Sequence, residues 1–106
     1  MKTLFILFLM FSGMAFAENP NKMFDATHNM TNKVSVEWIQ VKDIQKTCDE
    51  LSQEKVNKKF GYAVEACSTW DEESDGSYSC KIYTEKKTNI ATLGHEMKHC
   101  FQGNWH

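Results

Sequence analysis

The segment His95-Glu96-Met97-Lys98-His99-Cys100-Phe101-Gln102-Gly103-Asn104-Trp105-His106 holds residues whose types and spacing can do chemistry. On a helix, positions i and i+4 lie one turn apart on one face. His95 and His99 can therefore offer two imidazole nitrogens to one tetrahedral Zn2+, with Glu96 beside them. A catalytic zinc takes a third protein ligand and keeps one position open for water. Gly103 can turn the chain so that His106 returns as that third ligand. Glu96 then acts as the general base, taking a proton from the zinc-activated water and handing it to the leaving amine. No Ser-His or Cys-His arrangement offers a rival side-chain nucleophile. A chance His-Glu-x-x-His in a chain of this composition is on the order of one in a hundred.

This motif resembles that of the zincin metallopeptidases, whose zinc-binding helix carries His-Glu-x-x-His. The tail is also similar to the extended metzincin motif, in which two residues precede the glycine. Here three residues, Cys100-Phe101-Gln102, precede it, so Gly103 and His106 are each displaced by one position. The resemblance covers the motif and a coarse order of β-structure followed by the active-site helix. It implies peptide-bond hydrolysis, with zinc on His95, His99 and His106 and Glu96 as base. A methionine turn and a second helix bearing a glutamate ligand, found in branches of that group, do not follow His106 in this sequence.

The elements that must position these residues are legible upstream. Val34-Ser-Val-Glu-Trp-Ile-Gln-Val41 is rich in β-branched and aromatic residues and predicts a strand. Residues 42–53 carry Ile44, Cys48 and Leu51 at helical spacing, with Asp43 near the start. Residues 61–70 and 77–84 predict a β pair, with Asp75-Gly76 supplying positive-φ turn chemistry. Pairing Trp70 with Ser77 across residues 71–76 places Cys67 opposite Cys80 and suggests that bridge, leaving Cys48 for Cys100. Thr88 or Asn89 can cap a final helix reaching Gln102, with Gly103 as its stop. Projected at about 100° per residue, Ile90, Leu93, Met97, Cys100 and Phe101 form the expected core side. His95 and His99 fall nearly opposite, toward a cleft. Tyr62, Tyr78 and Tyr83 are lesser candidates for stabilising an oxyanion.

At the N-terminus, Lys2 precedes an apolar run from Leu4 to Met14 that closes on Ala15-Phe16-Ala17. This predicts a signal peptide over 1–17, cleaved before Glu18, and hence a secreted or periplasmic protein. Residues 18–33 hold the only proline and many asparagines, and read as a flexible N-terminal arm. Within it, His28 between Met23 and Met30 is a weak soft-metal pattern, and Asn29-Met30-Thr31 fits a glycosylation acceptor. The expected domain, 34–106, is small, and its four cysteines in an oxidising compartment predict two disulfides. The fold class expected is α+β: a small antiparallel sheet, an early helix and a C-terminal zinc-binding helix, disulfide-stapled. The chain contains no arginine and its formal net charge is −2. Guanidinium clamps for phosphate are thereby excluded and nucleic acid is not an expected partner. The expected partner is a peptide or protein substrate met by a monomer, without stable membrane association after signal cleavage. The alternative is a non-catalytic secreted, disulfide-stapled binding module, with a structural zinc or no metal.

Overall fold

The computed structural model describes residues 7–11 and 22–104. The expected cleavage junction after Ala17 and the candidate ligand His106 lie outside the described residues. In chain order the elements are β1 (Leu7–Phe11), a single 3-10 turn (Ala26–His28), β2 (Val34–Val41), α1 (Ile44–Val56), β3 (Ala66–Glu72), β4 (Tyr78–Glu85) and α2 (Ile90–Gln102). The α+β class is as expected. The four-stranded sheet has the order β1-β3-β4-β2 and is mixed: β1 and β4 flank β3 antiparallel, while β2 joins β4 parallel. β1 lies within the apolar run read as an export signal and forms one edge of the sheet. No helix among the described residues is long and apolar enough to cross a membrane.

The β3–β4 connection decides how the cysteines are sorted. It is a loop rather than a two-residue turn on Asp75-Gly76. Glu73 N–H donates to the Ser77 carbonyl, Gly76 N–H to the Glu73 carbonyl, and Ser77 N–H to Asp75 Oδ1, with Gly76 at φ 87°. Centred on Asp75, this loop sets Trp70 opposite Cys80 and Cys67 opposite Tyr83, three residues away from the expected register. Because side chains alternate faces, an odd shift puts Cys67 and Cys80 on opposite sides of the sheet. The expected bridges are therefore corrected to Cys48–Cys67 and Cys80–Cys100, with Cα separations of 6.0 and 5.5 Å. One bridge staples α1 to one face and the other staples α2 to the opposite face.

Each face has its own core. On the α1 side, Ile44, Cys48, Phe60, Val64 and Cys67 are buried, with Val41, Leu51 and Tyr83 packed against them. Asp43 caps α1 by accepting from Lys46 N–H, and Asn57 ends it in the left-handed region at φ 60°. The long connection to β3 is held by side chains of α1. Asp49 Oδ1 accepts from Phe60 N–H, Gln45 Oε1 from Val64 N–H, and the Ser52 hydroxyl donates to the Lys58 carbonyl. On the α2 side, Trp70, Cys80, Ile82 and Cys100 form a second cluster, with Val34, Tyr78, Leu93 and Phe101 around it.

Asp71 ends the polar row of β3 on the α1 face, and its Oδ1 is buried without a hydrogen-bond partner. Burial raises its carboxyl above the ordinary value of 3.8, opposed by the nearby Lys55 and Lys81. A raised folded value makes the ionised carboxylate a cost to folding that disappears as pH falls below the unfolded value. Asp71→Asn is therefore expected to raise the melting temperature at pH 7, with the gain vanishing below about pH 4; thermal unfolding across pH checks this. Peptide mapping of an unreduced digest is expected to find Cys48 joined to Cys67 and Cys80 to Cys100. Replacing both cysteines of the Cys80–Cys100 bridge, which spans 20 residues, is expected to cost about 3 kcal/mol in denaturant unfolding.

Candidate metal centre

The centre is built on α2. Asn89 caps the helix, its side chain accepting from Thr92 N–H at 2.7 Å. At the other end Gly103 adopts φ 66°, ψ −137°, and its N–H donates to the His99 carbonyl. That backbone region is open essentially to glycine alone.

The helix is rotated by about a third of a turn from the orientation its apolar stripe suggests. Thr92, His95, Glu96, His99 and Cys100 are buried, whereas Ile90 is 87% exposed and Met97 38%. Three anchors set this rotation. Cys100 is bonded to Cys80, Thr92 Oγ1 donates to Glu65 Oε1 at 3.0 Å, and the His99 ring stacks on Trp70 with 4° between planes and 5.9 Å between centroids. Glu96, midway between Thr92 and Cys100, consequently points at the sheet. The histidine side is part of the packed interior rather than the wall of a cleft opposite it.

His95, Glu96 and His99 each offer a donor atom, and these atoms lie within 4.8 Å of one another. Nε2 of His95 and Nε2 of His99 are 3.3 Å apart. Two nitrogens at about 2.0–2.1 Å from one tetrahedral ion are separated by about 3.3–3.4 Å, so the two imidazoles stand at ligand spacing. The other ring nitrogen of His99, Nδ1, is 2.7 Å from the Gly103 carbonyl oxygen. A carbonyl only accepts, so Nδ1 carries the hydrogen, and in the neutral form of the ring the Nε2 lone pair faces His95. Metal-binding histidines are oriented by this kind of outer contact. The donor set, two imidazoles and a carboxylate, suits a borderline divalent ion.

The sequence-predicted residues His95, Glu96 and His99 are thus brought together, while His106 lies outside the described residues. His28 does not join this group among the described residues. It is exposed and pairs with Asp25 at 3.9 Å, and hydrogen bonds from Thr27 hold the Asp25 carboxyl below its usual value. Tyr83 is on the α1 face of the sheet, away from α2. Tyr62 packs edge-on against Phe60, and Tyr78 belongs to the α2-side cluster. Burial raises the hydroxyls of Tyr62 and Tyr78 above the ordinary tyrosine value.

Three further residues support the site. Trp70 backs the His99 ring, Gly103 supplies the carbonyl that orients it, and Met30 packs where a Gly103 side chain would project. A Cβ on Gly103 would lie 2.9 Å from Met30 Sδ. The segment around Met30 is tied to the end of α2: Met30 N–H donates to the Phe101 carbonyl at 2.7 Å, and Gln102 Nε2 donates to the Asp25 carbonyl and to Asn29 Oδ1. Only Gly103 carried a signal, its place four residues after His99. Trp70 and Met30 depend on strand register and chain docking, which spacing does not encode.

Compared with protein-family models, with curated proteins and with solved structures, the chain finds no match in any of the three. The fold and the geometry of the site therefore carry the functional reading.

Gly103→Ala meets both a forbidden backbone region and the Met30 thioether. It is expected to destabilise the fold by about 1–3 kcal/mol and, by releasing the His99 ring, to weaken divalent-metal binding about tenfold or more. Thermal unfolding and competition with a chromogenic chelator would measure the two effects.

Proposed function

We propose that this chain is an exported zinc-dependent peptidase. His95 and His99 hold the metal through Nε2, His106 completes the protein ligands, and Glu96 is the general base. The observation that carries the reading is the His95–His99 pair, with Nε2 atoms 3.3 Å apart and the tautomer of His99 set by the Gly103 carbonyl. When bound, the ion would polarise the scissile carbonyl and acidify the attacking water. Glu96, on the same helical turn, would take the proton of that water and deliver it to the departing amine. Its burial keeps the carboxylate in low-dielectric surroundings, where proton transfer and charge stabilisation are strongest. Trp70 fixes the plane of the His99 imidazole, and Gly103 fixes its rotation. Two disulfides suit an oxidising compartment, in keeping with the export signal read at the N-terminus. The substrate class is a peptide or protein.

A second reading is favoured by one observation: His99 and Glu96 are both fully buried, and His95 is only 7% exposed. A closed site of this kind suits a structural metal that staples a secreted binding module without turnover.

Elemental analysis of the disulfide-intact protein separates the readings. One zinc per chain is expected, lost in His99→Ala and in His106→Ala. Glu96→Gln is expected to keep its zinc and to lose peptide hydrolysis by about 10²–10⁴-fold. Zinc without any hydrolysis would leave the structural staple, and a native protein without zinc would remove both metal readings.

A further inference from the structure

Ser68 lies on β3 two residues before Trp70, and so on the same, α2-facing side of the sheet. It is fully buried, and its Oγ has no hydrogen-bond partner among the described residues. Buried hydroxyls nearly always have a partner, so an orphan of this kind points to a group it is built to meet.

The level of Ser68 along α2 follows from two fixed points. Glu65 bonds Thr92 and Trp70 stacks on His99, so β3 and α2 run in the same direction. Between these points five residues of strand answer to seven of helix, so Ser68, two residues before Trp70, comes level with the residue about three before His99, which is Glu96. Its cross-strand neighbour on β4 is Ile82, which offers no polar atom. The next hydroxyl on this face, Thr84 Oγ1, is already used: it accepts from Trp38 Nε1 and donates to the Glu85 carbonyl. Ser68 is therefore the donor that the sheet presents beneath Glu96.

We infer that Ser68 is a positioning residue for Glu96: its hydroxyl donates to one carboxylate oxygen in the metal-loaded protein and turns the other toward His95 and His99. The chemistry suits the task. An ionised carboxylate only accepts, and a serine hydroxyl supplies one rotatable donor without adding charge or competing as a base. A hydrogen bond to an ionised group is stronger than a neutral one, so a single donor suffices to select one carboxylate orientation. The kinetic consequence rests on the peptidase reading, whereas the contact itself does not.

The experiment has a spectroscopic and a kinetic arm on the zinc-loaded, disulfide-intact chain. With glutamate labelled at the carboxylate carbon, the Glu96 resonance is assigned by its disappearance in Glu96→Gln. In Ser68→Ala that resonance is expected to move, and in Ser68→Thr, which keeps the hydroxyl, to stay near its native position. Ser68→Ala is expected to retain one zinc per chain and native KM while kcat falls about 10- to 100-fold. On the Glu96→Gln background the same substitution is expected to change nothing further. An unmoved Glu96 resonance in Ser68→Ala overturns the inference, whether or not the native protein hydrolyses peptides. A moved resonance in a protein without hydrolysis upholds the contact and sinks the peptidase reading alone.

Discussion

The pairing register of β3 and β4 is the constraint on which this molecule depends. With Trp70 opposite Cys80, Cys67 and Cys80 point to opposite faces. Each then reaches the helix that covers its own side, through Cys48 on α1 and Cys100 on α2. The sheet becomes the middle of three layers with a thin core on each face. Neither core is large, and the two covalent ties restrict the unfolded chain where burial alone gives little.

The same register turns α2. Tethered at Cys100, stacked at His99 and hydrogen-bonded at Thr92, the helix lays its polar side on the sheet and leaves Ile90 and Met97 toward solvent. Burying two imidazoles and a carboxylate against strands is costly unless the groups are matched to one another or to an ion. The geometry meets that condition in part by itself: His99 is oriented by the Gly103 carbonyl and faced by His95. Stability that apolar packing would supply along α2 is moved to the disulfide and the Trp70 stack. Ligand spacing at the heart of a small domain is the return for that arrangement.

The end of α2 is where scaffold and site merge. Gly103 stops the helix, orients His99 through its carbonyl and makes room for Met30, whose backbone bonds the last turn. Residues 25–30 thus serve as a clamp on α2, and the position of the His99 ring depends on chain about 70 residues upstream in sequence. The closed character of the site follows from this packing, and His95 is the one of the three residues that retains any exposure, at 7%.

Local rules in the sequence determined the elements and the candidate donors. The β-branched run at 34–41, the caps at Asp43 and Asn89, the stop at Gly103 and the i, i+4 histidines each depend on residues a few positions apart, and each stands where local chemistry puts it. Tertiary structure decided what depends on distance. The cysteine pairing turned on a three-residue difference in the register of one strand pair, because side-chain alternation converts an odd shift into a change of face. The buried side of α2 was set by a disulfide, a ring stack and a side-chain hydrogen bond rather than by its apolar stripe, since a covalent anchor outweighs the burial of Ile90 and Met97. Trp70, Met30 and Ser68 acquired their roles in the same way. A tryptophan, a methionine and a serine carry no mark of function until strand register and chain docking bring them against α2 and its histidine pair.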